Sequence, residues 1–180
     1  MLPVVLLVVF AVLEFGMLYR SATVTSSASR AGVRLAAATY AAAPAVGSGT
    51  AENPDKRGVA DLVASAVAEV LRERQSGDTP VQLRIYRAQA NGQPIGGSFE
   101  TCATDCLRFS WDGAAWAYVD GTWSAPDACG ASIPSIGVYV SVRHEPSNDL
   151  IPLGKTIDEH SVMRLEPRPF NQCTGPGGET

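Results

Sequence analysis

The sequence predicts an α+β protein: a long N-terminal helix, part transmembrane and part amphipathic, then one amphipathic helix packed on an antiparallel sheet of about five strands. Three observations predict it. An apolar run fills Leu2 to Leu18 and continues, without a Gly-Pro break, into an Ala-rich stretch. A second segment, Val59 to Leu71, repeats apolar residues at helical spacing. Beyond it, apolar and polar residues alternate in several short runs with no βαβ pattern. The expected division is an N-terminal helix over 1–43, a linker over 44–53, an α+β domain over 54–174 and a flexible tail over 175–180.

The first helix opens "MLPVVLLVVFAVLEFGMLYRSA". A membrane span needs about 20 apolar residues, with a lower limit near 17, and Leu2 to Leu18 qualifies. There is no basic start, and no small-x-small site follows, so a cleaved signal peptide is the poorer reading. Val24, Ala28, Ala31, Val33 and Leu35 to Ala38 carry the pattern onward. One helix to about Ala43 would be roughly 60 Å long. Its first half suits lipid; its second half needs a partner surface. Glu14 interrupts the apolar run. A carboxylate in lipid is expensive and marks a functional position by default. It either snorkels at the interface or pairs with a cation on a neighbouring helix.

"AAAPAVGSGTAENPDK" is a linker punctuated by Gly and Pro. Asn53-Pro54 looks like a helix cap followed by proline at the first helical position. Val59, Leu62, Val63, Ala66, Val67, Val70 and Leu71 then form one face, and Gly77 is the stop. The polar face is mixed rather than basic, so packing on a sheet suits this helix better than lying on a membrane surface.

Val81, Leu83 and Ile85 predict the first strand, and Leu107, Phe109 and Trp111 the second. "WDGAAW" carries Asp-Gly, a hairpin signal, and Ala115 to Asp120 returns. Ile136, Val138, Val140 and Val142 form a clean inward face, and 160–166 reads as the last strand. Trp111, Trp116 and Trp123 suit cross-strand packing better than a binding face.

Composition narrows function. Among 180 residues, 14 Lys and Arg against 18 Asp and Glu give a net charge of −4. No basic patch is interleaved with aromatics, so nucleic acid is not an expected partner. No phosphate loop, dinucleotide fingerprint or nucleophile elbow is present, so no cofactor and no small-molecule substrate is indicated. His144 and His160 are weak metal candidates, provided that they face each other across a hairpin near Glu145, Asp158 and Glu159. No nucleophile is placed by spacing, and a metal-dependent hydrolase is the weakest of the readings.

Four cysteines lie beyond the apolar helix, with no Cys-x-x-Cys pair. They read as disulfides in an oxidising compartment. If the strand from Ile136 pairs antiparallel with the one ending near Glu166, Cys129 and Cys173 lie at the same end of the sheet. Cys102 and Cys106 are then left to close a tight local loop. The longer bridge would contribute about 4 kcal/mol in the chain-entropy model.

The stretch "LPVVLLVVFAVLEFGMLYRSATVTSSASRAGVRLAAA" resembles the N-terminal region of TadE-like pilus assembly proteins. The resemblance rests on Leu2-Pro3, the apolar run, Glu14-Phe15-Gly16 and the Ala-rich stretch "SASRAGVRLAAA" from Ser27. "CLRFSWDG", "GTW", "IGVYVSVRHE" and "HSVMRLEP" are similar to stretches in the C-terminal domains of actinobacterial members. The resemblance implies a single-pass membrane protein with its domain outside the cytoplasm. It implies no enzymatic activity, a minor-pilin role, and partners among other pilin subunits and the Tad secretion machinery. Glu14, Phe15 and Gly16 become the expected helix–helix assembly residues. Members usually carry a basic leader and a Val-Glu-Phe upstream of the Leu-Pro; Glu14 is not that processing glutamate. Arg20, Arg30 and Arg34, read by the positive-inside rule alone, argue for the opposite orientation. The cysteines and the resemblance outweigh them. The alternative is a single-pass surface binding module or adhesin that uses the Trp-rich hairpin and nearby loops.

Overall fold

A computed structural model describes residues 2–42, 58–74, 78–95, 97–102, 104–122, 133–146 and 154–166. It is an α+β arrangement. Helix α1 spans Leu2–Ala42 and helix α2 spans Gly58–Arg74. The strands are β1 (Thr79–Ala88), β2 (Cys106–Trp111), β3 (Trp116–Asp120), β4 (Ser135–His144) and β5 (Lys155–Arg164). They form one sheet in the order β3-β2-β1-β4-β5, antiparallel at every pairing.

One face of the sheet carries both helices. Ile136, Val138, Val140 and Val142 of β4 point to it, as do Leu83 and Ile85 of β1 and Leu107 and Phe109 of β2; all are fully buried. They pair in rows across the sheet, Val138 with Ile85 and Ile85 with Leu107. The helices cover these rows with small and β-branched residues. From α2 come Val59, Ala60, Val63, Ala64, Val67, Ala68 and Leu71, the face that the helical spacing marks out.

The second half of α1 meets its partner surface within the chain. Val24, Ala28, Val33, Ala36, Ala37 and Tyr40 are buried against the sheet and α2. Gly32 sits at the closest approach: a Cβ there would lie 2.7 Å from Val67 Cγ2 and 3.2 Å from Val138 Cγ1. Serines and threonines on this half bond their own helix, as Thr25 Oγ1 does to the Ser21 carbonyl at 2.8 Å. Polar side chains can therefore enter the interface without stranding donors.

The first part of α1 stands clear of the domain. Leu2, Val4–Phe10, Val12 and Leu13 are all exposed. An 18-residue window in this helix reaches a mean hydropathy of 2.4, and over Leu2–Tyr19 only Glu14 is buried. It is the one helix among the described residues long and apolar enough to cross a membrane.

β5 begins at Lys155, five residues before the His160 start that the alternation suggests. The reason is its place at the sheet edge, where only Ile157 is buried among its residues. An edge strand half open to water leaves little apolar period to read. The Asp-Gly hairpin forms as its residues dictate. Asp112 Oδ1 accepts from Ala114 N at 2.8 Å and Ala115 N at 2.7 Å. These two bonds hold the Asp112 carboxyl below the usual carboxylate range. Trp111 and Trp116 pair across the hairpin edge-to-face, centroids 5.2 Å apart. The Arg72 guanidinium lies over Trp111 at 5.8 Å. Trp123 lies outside the described residues.

Cys102 and Cys106 are joined by a disulfide, Cα atoms 5.7 Å apart. Cys129 and Cys173 fall outside the described residues. β4 and β5 do pair with Ser135 beside Arg164, the antiparallel arrangement on which that second pairing was argued. Replacing Cys102 and Cys106 together with serine is expected to cost about 2 kcal/mol, because the bridge closes a short loop. Denaturant unfolding of the full chain in detergent checks this; unchanged stability would show that the unfolded chain gains nothing from losing the bridge.

Candidate functional site

Where α1 leaves the domain, four polar side chains from three elements converge. α1 brings Glu14 and Ser21, the last residue of β4 is His144, and Asp78 immediately precedes β1. Their order in space follows from direction. Gly32 lies over Val138 while Glu14 reaches His144, so α1 runs antiparallel to β4. Ser21 and Glu14 lie two turns apart on the face that continues the buried stripe.

The geometry centres on the imidazole. His144 Nδ1 lies 2.6 Å from Asp78 Oδ1, and Nε2 lies 3.3 Å from Glu14 Oε1. The Ser21 hydroxyl donates to Asp78 Oδ2; its oxygen is 3.1 Å from the Met17 carbonyl and 3.4 Å from Nδ1. The side chains of His144, Glu14 and Asp78 are only 9%, 11% and 5% exposed. Polar groups so buried must satisfy one another, and here they do.

Serine, histidine and aspartate together invite comparison with a nucleophilic triad, which the geometry does not support. A triad uses the two ring nitrogens for different partners, acid on one and nucleophile on the other. Here Ser21 and Asp78 share Nδ1, Ser21 is bonded to Asp78 itself, and Nε2 faces a second carboxylate. A metal site does not fit either. The carboxylates lie on opposite sides of the ring and cannot converge on one ion, and among the described residues no group of three or more potential ligands does so.

The β4–β5 register does not meet the condition on which His144 and His160 are weak metal candidates. His144 stands opposite Lys155, and His160 opposite Tyr139. Because β5 begins at Lys155 rather than near His160, the two histidines fall on opposite faces of the sheet. His160 instead joins an aromatic group on the outer face. Phe99 stacks on Tyr139 at 5.0 Å and lies 4.9 Å from the His160 ring and 5.6 Å from Tyr86. Burial and the bond to Asp158 push the Tyr139 hydroxyl up to about 12.

The residues of the Glu-Phe-Gly stretch separate. Glu14 turns inward to His144. Phe15 is 70% exposed, and a Cβ on Gly16 would meet nothing within 4 Å, so these two are directed away from the domain. Spacing arguments missed Asp78 and Ser21. A signal for His144 did exist: it continues the inward alternation of Ile136, Val138, Val140 and Val142, which places a polar ring on a buried face.

Residues 1–34 match the family model described as TadE-like protein. No curated protein and no solved structure matches the chain.

Proposed function

We infer from a chain that is TadE-like over residues 1–34 that it works in Tad pilus assembly, and we propose that it does so as a minor pilin. In this reading it is anchored by α1, carries its domain outside the cytoplasm and acts without catalysis. The observation that supports this most is the division of α1. Its first part offers an unbroken apolar surface to lipid or to other helices, while its second part is built into the domain. A helix divided in this way transmits the position of a membrane bundle to a folded domain.

Phe15 and Gly16 are the proposed contacts with neighbouring pilin helices. Phe15 supplies apolar area, and Gly16 lets a second backbone approach closely. Glu14 acts from the opposite face by setting how the helix is turned. The full chain with Phe15→Asp and Gly16→Leu is expected to reach the membrane folded yet reduce surface pili at least tenfold, counted by electron microscopy in a strain lacking the native copy. Normal piliation in that strain without any copy would overturn the assembly reading. Normal piliation with the double variant would remove Phe15 and Gly16 from the contact.

A further inference from the structure

We propose that the β2–β3 hairpin and the end of α2 make a second contact with the membrane, in which Trp111 and Arg72 sit in the headgroup layer and the pocket beside them receives the headgroup of a phospholipid. This contact rests on the reading that α1 anchors the chain, and not on the pilin role.

Strand directions bring these elements to one end of the domain. β4 ends at His144, and β1 begins at Thr79 beside Arg143. β2 ends at Trp111, one residue beyond the pairing of Ser110 with Gln82, and β3 begins opposite it at Trp116. The hairpin over 112–115 therefore turns at the same end of the sheet as His144. α2 also finishes there, since Leu71 and Arg72 line a pocket with Thr79, Pro80 and Trp111. α1 departs from this end too, because Glu14 reaches His144. The apolar surface of α1 does not stop below that level. Phe15 and Tyr19 lie beyond Glu14 along the helix and are still exposed. A bilayer that takes up the run from Leu2 to Leu18 thus comes level with the base of the domain. The hairpin and the end of α2 then face its headgroups.

The residues placed there suit that layer. Tryptophan collects at membrane interfaces, where its apolar ring and its polar N–H are both accommodated. Trp111 is half-buried, with Trp116 edge-on against it. The Arg72 guanidinium covers the Trp111 ring at 5.8 Å and donates to the Ala114 carbonyl. One such bond leaves further N–H groups of the guanidinium for phosphate oxygens. The pocket beside it has a volume of about 510 Å³, with Leu71, Pro80 and the Trp111 ring as apolar walls. Asp112 lies between two lining residues, Trp111 and Gly113, and the Arg72 charge acts on its carboxyl. A headgroup that carries a cation beside its phosphate meets both charges, so a zwitterionic phospholipid is a sufficient partner.

The experiment is tryptophan quenching of the full chain in phosphatidylcholine nanodiscs, with acyl chains brominated close to the glycerol. The chain has 3 tryptophans and none lies in α1, so the span itself contributes no signal. Brominated lipid is expected to remove at least about a third of the emission, the share of one interfacial tryptophan in three. The loss should shrink in Trp111→Phe. It should also fall at least twofold in Arg72→Glu, which sets a carboxylate against the phosphates at an exposed position. Equal emission in brominated and ordinary lipid would overturn the contact, as would a loss that neither variant reduces. Vesicle flotation separates this result from the anchoring: a chain that floats with its tryptophans unquenched overturns the contact alone, whereas a chain that does not float overturns both.

Discussion

Replacing His144 with alanine is expected to destabilise the domain by about 3–5 kcal/mol, the cost of taking one member out of a buried ionic network. The substitution removes the ring that bridges Asp78 and Glu14, whose side chains are 5% and 11% exposed, and leaves Asp78 with the Ser21 hydroxyl. The effect should exceed that of an ordinary cavity of the same size, because the imidazole both fills space and donates. Combining His144→Ala with Glu14→Gln and Asp78→Asn removes the two charges that the ring bridged. The triple variant is therefore expected to recover a substantial part of the loss, with strong non-additivity among residues in direct contact. Equilibrium unfolding of the full chain in detergent provides the measurement. Additive losses across the three sites would show that they do not act as one network.

The second large effect is expected at Gly137. A Cβ there would stand 2.1 Å from Tyr86 Cζ and 2.5 Å from its hydroxyl. Tyr86 lies flat across the glycine, fully buried, and donates to the Gly92 carbonyl at 3.0 Å. Gly137→Ala must expel that ring from the outer face and with it the contact to Phe99. Overpacking of this kind costs about 3 kcal/mol. Tyr86→Ala in the same chain vacates the space, so the added cost of Gly137→Ala should nearly vanish. Equal cost of Gly137→Ala with and without Tyr86 would place the origin in the strand backbone rather than in the ring.

These two positions show where reading the sequence stops. Gly137 sits in the middle of "SIGVYVSV", and nothing local says that its missing side chain makes room for a tyrosine on the adjacent strand. The register that sets Tyr86 opposite Gly137 is a long-range fact. His144 is half legible: its alternation with Val140 and Val142 turns it inward, but its partners lie 130 and 66 positions away. Whether the two histidines face each other was open in the sequence for a related reason, and the register sets His144 opposite Lys155 and His160 opposite Tyr139. One shift in where an edge strand begins moves every later residue to a different partner or the other face.

What the sequence by itself determined rests on local periodicity. The apolar run and its Ala-rich continuation specify α1, the 3.6-residue spacing of Val59 to Leu71 specifies α2, alternation specifies β1, β2 and β4, and Asp112-Gly113 specifies the hairpin. Each of these is decided by neighbours within a few residues. The tertiary structure alone decided the order β3-β2-β1-β4-β5, the seating of α1 on its own sheet, and the inward turn of Glu14. Those depend on which surfaces bury most area together and on how buried charges find partners, and such energies exist only once distant segments have met.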